Sequence, residues 1–155
     1  MGEKRIGLPA RLALKFVPLI LVLAAMSCSM PRVVVLKDPL TAGEHNDLGV
    51  IYEQKGMLDL AVKEYGMAAA KQDYWAVPYF NLGNVEYKRK NLKAAEENYR
   101  RSLKLDPKNP DIMNNLAGLL HDMGRDAEAG ALIDKALAIR HKDEYLDTKQ
   151  KIMGQ

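Results

Sequence analysis

From Ala42 onward, apolar and polar residues follow a helical rather than a strand period. Ala61, Tyr65 and Ala68 stand at i, i+4 and i+7, which puts them on one stripe of an α-helix. The stripe recurs at a fixed distance. Leu48, Leu82 and Leu116 are 34 residues apart, as are Ala61, Ala95 and Ala129. The same step links Tyr65, Tyr99 and Ile133, then Ala68, Ser102 and Ala136, then Gly49, Gly83 and Ala117. Five columns in one register define three repeats, at 42–75, 76–109 and 110–143. The pattern predicts two helices per repeat, at about 42–55, 58–71, 76–90, 92–105, 110–123 and 126–140. A last amphipathic segment, near 143–153 within a capping unit at 144–155, is expected to cover the open end of the array.

Turn chemistry falls between the helices. Gly56 and Gly124 stand where a tight reversal needs a permissive backbone. The middle repeat has Lys90-Asn91 there, and Asn91 is expected to take the left-handed conformation. Pro107 and Pro110 end one helix and begin the next.

These residues resemble the tetratricopeptide repeat, a helix-turn-helix unit that stacks into a right-handed superhelix. The stretch Leu48-Gly49-Val50-Ile51-Tyr52 matches the family's first-helix pattern, and Ala61, Tyr65 and Ala68 match its second. The closing proline is present as Pro107, whereas Asp73 and His141 hold that place in the other repeats. The third repeat diverges, with Ala117 for glycine and Leu120 for tyrosine. The resemblance implies an all-α array of three repeats that binds other proteins without catalysing a reaction.

Upstream of the array the chain changes character. A basic stretch, Lys4 to Lys15, precedes an apolar run from Phe16 to Met26. Eleven helical residues rise about 16 Å, against about 30 Å for a bilayer core, so the run suits a signal peptide over 1–27. Cys28, the one cysteine, follows at once. Ala25-Met26-Ser27-Cys28 resembles the lipobox of bacterial lipoprotein precursors, although that family prefers leucine where Ala25 stands. The resemblance implies cleavage before Cys28, acylation of its thiol and anchoring by the acyl chains. Ser29, rather than aspartate, in the second mature position points by the same analogy to the outer membrane, facing the periplasm. Ala25-x-Ser27 also suits ordinary signal cleavage, which would release a soluble periplasmic protein. An uncleaved leader would leave an inner-membrane anchor. Residues 28–41, with Pro31, Pro39 and the run Val33 to Leu36, read as a tether.

Charge narrows the range of partners. The first 27 residues hold Lys4, Arg5, Arg11 and Lys15 against Glu3. Taking these from the totals of 23 basic and 20 acidic residues leaves 19 of each sign, without the excess that binds nucleic acid. A single cysteine excludes an intramolecular disulfide and a cysteine-rich zinc site. His45, His121 and His141 have no second ligand at metal spacing. His45 falls at a core position and is expected to pack, and Glu96-Glu97 reads as a solvated helix face. No phosphate loop or nucleophile elbow is present, so neither an enzyme nor a cofactor is expected.

The family resemblance implies that the first helix of each repeat lines an inner groove. By that register the groove residues are Asn46, Asp47, Val50, Glu53 and Gln54 in the first repeat. The second repeat contributes Val77, Phe80, Asn81, Asn84, Tyr87 and Lys88, and the third Asp111, Asn114, Asn115, Gly118, His121 and Asp122. One subclass of the family grips carboxylate tails with a cationic clamp. At the clamp positions this chain has Asn46, Val50, Asn81, Asp111 and Asn115, of which only Asn81 agrees. Another subclass carries asparagines at the sixth position of successive repeats and bonds the backbone of an extended polypeptide. Here that column reads Asp47, Asn81, Asn115, flanked by Asn46 and Asn114. An amide donates and accepts at once, as a peptide unit does, and Phe80 and Tyr87 supply apolar anchors. The expected partner is a protein or extended peptide; the alternatives are a spacer that self-associates through its end helices and an accessory subunit of an envelope polysaccharide or peptidoglycan enzyme complex.

Overall fold

A computed structural model describes residues 38–154. The leader, Cys28 and the tether up to residue 37 lie outside the described residues. Among those described the fold is all-α: α1 (Ala42–Gln54), α2 (Leu58–Lys71), α3 (Ala76–Lys88), α4 (Leu92–Leu105), α5 (Pro110–Asp122), α6 (Asp126–Ile139) and α7 (Asp143–Met153). None of these helices is long and apolar enough to cross a membrane. Short turns pair α1 with α2, α3 with α4, and α5 with α6 as antiparallel hairpins. Neighbouring hairpins meet through α2 on α3 and α4 on α5, and α7 closes the end by packing on α6 and α5.

Local signals set the boundaries. Thr41 and Glu44 form a reciprocal capping box at the start of α1: the Glu44 amide donates to Thr41 Oγ1 (3.2 Å), and the Thr41 amide to Glu44 Oε2 (2.7 Å). Asn109 Oδ1 accepts from the amides of Asp111 and Ile112, with Pro110 at the first helical position of α5. Gly56 and Gly124 adopt left-handed φ of 71° and 75° in the hairpin turns. In the middle turn Lys90, at φ 65°, takes that role and not Asn91, which sits at φ −88° as the N-cap of α4. The 34-residue step from Gly56 lands on Lys90, so register overrides the local preference of asparagine.

Within two hairpins the packing depends on a missing side chain. A Cβ on Gly49 would lie 2.5 Å from the Tyr65 ring, and one on Gly83 would lie 2.4 Å from the Tyr99 ring. The third hairpin has Ala117 and Ile133 at these positions, both fully buried. Loss of the ring and gain of the methyl occur together, so the divergence of the third repeat conserves volume. His45 is buried as expected and its Nδ1 lies 2.7 Å from Glu64 Oε2. Glu97 is solvated, but Glu96 is not: it accepts from Arg100 Nε (2.8 Å) and from Arg125 (2.7 Å), tying α4 to α6.

The cap has its own lock. Tyr145 is fully buried, and its hydroxyl donates to Asp111 Oδ1 (2.5 Å), which also accepts from Lys142 (2.6 Å). Arg140 reaches Asp111 Oδ2 at 3.2 Å. Asp111 thus ties the cap to α5, a role its groove register did not indicate.

Two outcomes are expected. Gly83→Ala should cost about 1–3 kcal/mol in urea denaturation by forcing the Tyr99 ring aside. Gly83→Ala with Tyr99→Ile, which copies the third hairpin, should recover much of that loss. Partial burial alone would raise the Asp111 carboxyl, but the bonds from Lys142 and Tyr145 outweigh it and hold the carboxyl below its usual range. Its stabilising contribution is therefore present above the unfolded carboxylate pKa of about 3.9 and is lost as pH falls through the lower folded value. Protection of the α7 amides against exchange, relative to the intrinsic rate at each pH, should fall on acidification below about pH 4, and Asp111→Asn should lower it already at neutral pH.

Candidate functional site

The inner faces of α1, α3 and α5, joined by α7, carry the polar groups expected in the groove, and most of them bond across repeats. Asn81 Nδ2 donates to Asn46 Oδ1 (3.0 Å), and Asn115 Nδ2 donates to Asn84 Oδ1 (2.9 Å). Lys88 donates to Glu53 Oε1 (2.6 Å), while the Tyr87 hydroxyl donates to Asp122. Three of these ties span 35 residues, one more than the repeat, because each position faces its neighbour plus one on the next helix.

The buried tyrosines of the hairpins enter the same network from below. Tyr65 donates to Glu53 Oε2 (2.8 Å), and Tyr99 to Asn84 Oδ1 (2.7 Å). Burial pushes both phenols above their ordinary pKa, and the Glu53 carboxylate adds to the effect at Tyr65. Tyr87 is pushed up to about 12, first by its bond to Asp122 and then by burial.

A cleft of about 470 Å³ opens among these groups, lined by Glu53, Asn84, Tyr87, Lys88, Tyr99, Asn114, Asn115, Gly118, Leu119 and Thr148. It brings together Asn84, Tyr87, Asn114 and Asn115 of the principal groove candidates. Asn46, Asp47, Val50, Phe80 and Asn81 do not line it. Asn46 is buried against Asn81, Asp47 is exposed on α1, and Val50 packs on the Tyr65 cluster. Phe80 tilts against Tyr99, with ring centroids 6.0 Å apart, and lines a separate cavity of about 110 Å³ with Val77 and Asp111. His121 Nδ1 lies 2.6 Å from Asp126 and turns away from Asp122. Tyr99, Leu119 and Thr148 line the cleft without having been expected there. Thr148 was within reach of the register, since it stands 34 residues beyond Asn114. Among the described residues no group of three metal-ligating side chains occurs.

Comparison with known proteins agrees with this fold. A tetratricopeptide repeat family model matches residues 86–152. The human tetratricopeptide repeat protein 6 is 30% identical over 82 residues, which cover 53% of this chain but only 16% of that protein. Among solved structures, the first tetratricopeptide domain of Spaghetti (RPAP3), bound to the HSP90 peptide SRMEEVD, superposes with a TM-score of 0.72 at 18% identity. The alignment covers 76% of this chain and 94% of that one. The Arabidopsis OM64 tetratricopeptide domain gives 0.71 at 16% identity, over 74% and 95% of the two chains. The fold is that of tandem tetratricopeptide repeats, and the family match over residues 86–152 supports the same assignment from sequence.

Asn84 is the junction of the network, accepting from both Tyr99 and Asn115. Asn84→Ala should therefore destabilise the fold by about 1–3 kcal/mol, since it strands a buried phenol. Combining it with Tyr99→Phe should cost less than the sum of the two, as read from a double-mutant cycle in urea.

Proposed function

We propose that this chain is a non-enzymatic interaction scaffold of a bacterial cell envelope that holds an extended segment of another polypeptide in the cleft. The observation that carries the reading is the cleft itself, to which α1, α3, α4, α5 and α7 contribute and where Asn84, Asn114 and Asn115 offer amides beside the Tyr87 ring. Tetratricopeptide arrays mediate protein–protein interaction, and the Spaghetti (RPAP3) domain is bound to a peptide. That peptide, SRMEEVD, is acidic, and this chain lacks the corresponding cations. Asp111 stands at one clamp position and is committed to the cap, and Lys88 is already paired with Glu53. A segment without dense negative charge suits this groove better.

The membrane part of the reading rests on the leader. Acyl chains on Cys28 would hold the scaffold at the outer membrane, facing the periplasm, with residues 29–41 as a short tether. Three repeats give a modest surface, and confinement to a membrane would raise the effective concentration of a partner at the same surface. One observation favours self-association as a second reading. Ile51 is 43% exposed, whereas Val85 and Leu119, its equivalents 34 and 68 residues on, are 0% and 1% exposed. The first hairpin thus presents an apolar position that a preceding helix covers in the other two.

The test is the full chain, expressed with its own leader, cross-linked in intact cells and extracted from membranes. Intact mass should fit a chain beginning at Cys28 that carries diacylglycerol and an amide-linked acyl group, and Cys28→Ala should leave the membrane fraction. Asn81→Ala combined with Asn115→Ala should reduce the cross-linked partner about tenfold, the equivalent of about 1.4 kcal/mol. Undiminished capture by that variant would exclude the groove. An unmodified Cys28 would exclude the lipid anchor, and adducts made only of this chain would select the self-associating spacer.

A further inference from the structure

Gly118 lies inside α5, where glycine weakens a helix relative to alanine. It is not among the glycines with positive φ, so no backbone requirement explains it. Nor does packing: Gly49 and Gly83 each make room for a tyrosine ring, whereas a Cβ on Gly118 would meet nothing within 4 Å. Its equivalents one and two repeats earlier are Asn84 and Val50, both with side chains. The space it leaves belongs to the cleft. Gly66 and Gly130 are also open, but neither lines this cleft.

A second observation picks out the same spot. Asn114, one turn before Gly118 on the same face, also lines the cleft and is only 5% exposed. Its Nδ2 donates to Asn115 Oδ1 at 3.3 Å, but its own Oδ1 has no hydrogen-bond partner among the described residues. A buried acceptor left in that state carries a desolvation cost, which a donor from a ligand would relieve. Asn114 and Gly118 line the same cleft, so a side chain seated over Gly118 lies beside this amide, whose terminal torsion is soft.

We infer that the space over Gly118 is a side-chain pocket for a neutral primary amide, a glutamine or asparagine of the bound peptide. The inference rests on the groove reading above and adds what the groove selects. The ligand amide N–H would donate to Asn114 Oδ1, and its carbonyl would accept from Asn84 Nδ2. Asn84 has that donor available because Tyr99 and Asn115 engage only its Oδ1. A charged side chain is disfavoured. Glu53 and Lys88 at the rim neutralise each other, and Asn84, Tyr99, Asn114, Asn115 and Leu119 carry no charge to meet a buried ammonium or carboxylate. An aliphatic side chain would fill the space but leave Asn114 Oδ1 without a donor.

The test uses the full chain in detergent micelles, ¹⁵N-labelled and titrated with capped tripeptides Ala-X-Ala in which X is Gln, Glu, Lys or Leu. The Gln peptide should shift the amides of Asn114, Gly118 and Thr148 and bind about fivefold or more tighter than the others, the effect of about one hydrogen bond. Gly118→Leu should abolish the response to Gln while leaving the thermal midpoint unchanged or higher, since leucine is the better helix former. Equal binding of the four peptides, preference for Glu, Lys or Leu, or a Gln response that survives Gly118→Leu would each overturn the pocket. If Asn81→Ala with Asn115→Ala abolishes partner capture while Gly118→Leu retains it, the groove stands and the amide pocket falls. If neither variant affects capture, both fall.

Discussion

The contact on which the array depends is the close approach of a tyrosine ring to a glycine within a hairpin. In each of the first two hairpins the inner helix lacks a Cβ where the outer helix presents Tyr65 or Tyr99. The ring occupies the space that the Cβ would need, so the helices come nearer than two ordinary side chains would allow. It also extends across the hairpin rather than stopping in it. Each phenol therefore emerges on the inner side, where Tyr65 meets Glu53 and Tyr99 meets Asn84. A packing constraint inside one repeat thereby sets the position of a polar group in the groove.

The groove then transmits that placement from repeat to repeat. Glu53 accepts from Tyr65 below and from Lys88 on the next inner helix, while Asn84 accepts from Tyr99 below and from Asn115 on the next. Each of these acceptors joins a hairpin to its successor. The pattern changes at the third hairpin because Ile133 has no hydroxyl to present. The end of the array is held instead by the cap, through Tyr145, Lys142 and Arg140 on Asp111. The most buried amide without a full set of partners, Asn114, also belongs to this hairpin.

The architecture was legible because it is periodic. A 34-residue step read from Leu48, Ala61 and Tyr65 placed the helices to within two residues of where they lie. Where sequence reading failed, it set the register aside. Asn91 was favoured for the left-handed turn on its intrinsic preference, although the step from Gly56 to Gly124 passes through Lys90. Thr148 was missed because the register was not carried into the cap. Other failures have a different origin. That Asn46 and Asn81 bond to each other, or that Asp111 belongs to the cap, depends on which side chains meet across a helix pair. The offsets that bring them together, 35 residues for Asn46 and Asn81 and 29 to 34 for Asp111 and its cap partners, are properties of helix crossing and leave no periodic trace in composition.

A groove rich in asparagine is therefore not the same as a groove with many free amides. Bonds between repeats engage one side of most of these groups, which stabilises the array and lowers what each offers a ligand. On the proposed reading, recognition would draw on the remainder: the Nδ2 of Asn84, the Oδ1 of Asn114, the exposed parts of Asn115 and Tyr87, and the open space above Gly118. That remainder lies toward the third hairpin, where the glycine–tyrosine contact is replaced by Ala117 and Ile133 and the phenol is absent. Had Ile133 been a tyrosine in the earlier pattern, its hydroxyl would emerge beside Gly118, as Tyr99 emerges beside Asn84, and would intrude on the open space there. The divergence of the third repeat and the opening of the cleft thus fall in the same hairpin, Ile133 presenting no hydroxyl from below and Gly118 no side chain in the groove wall.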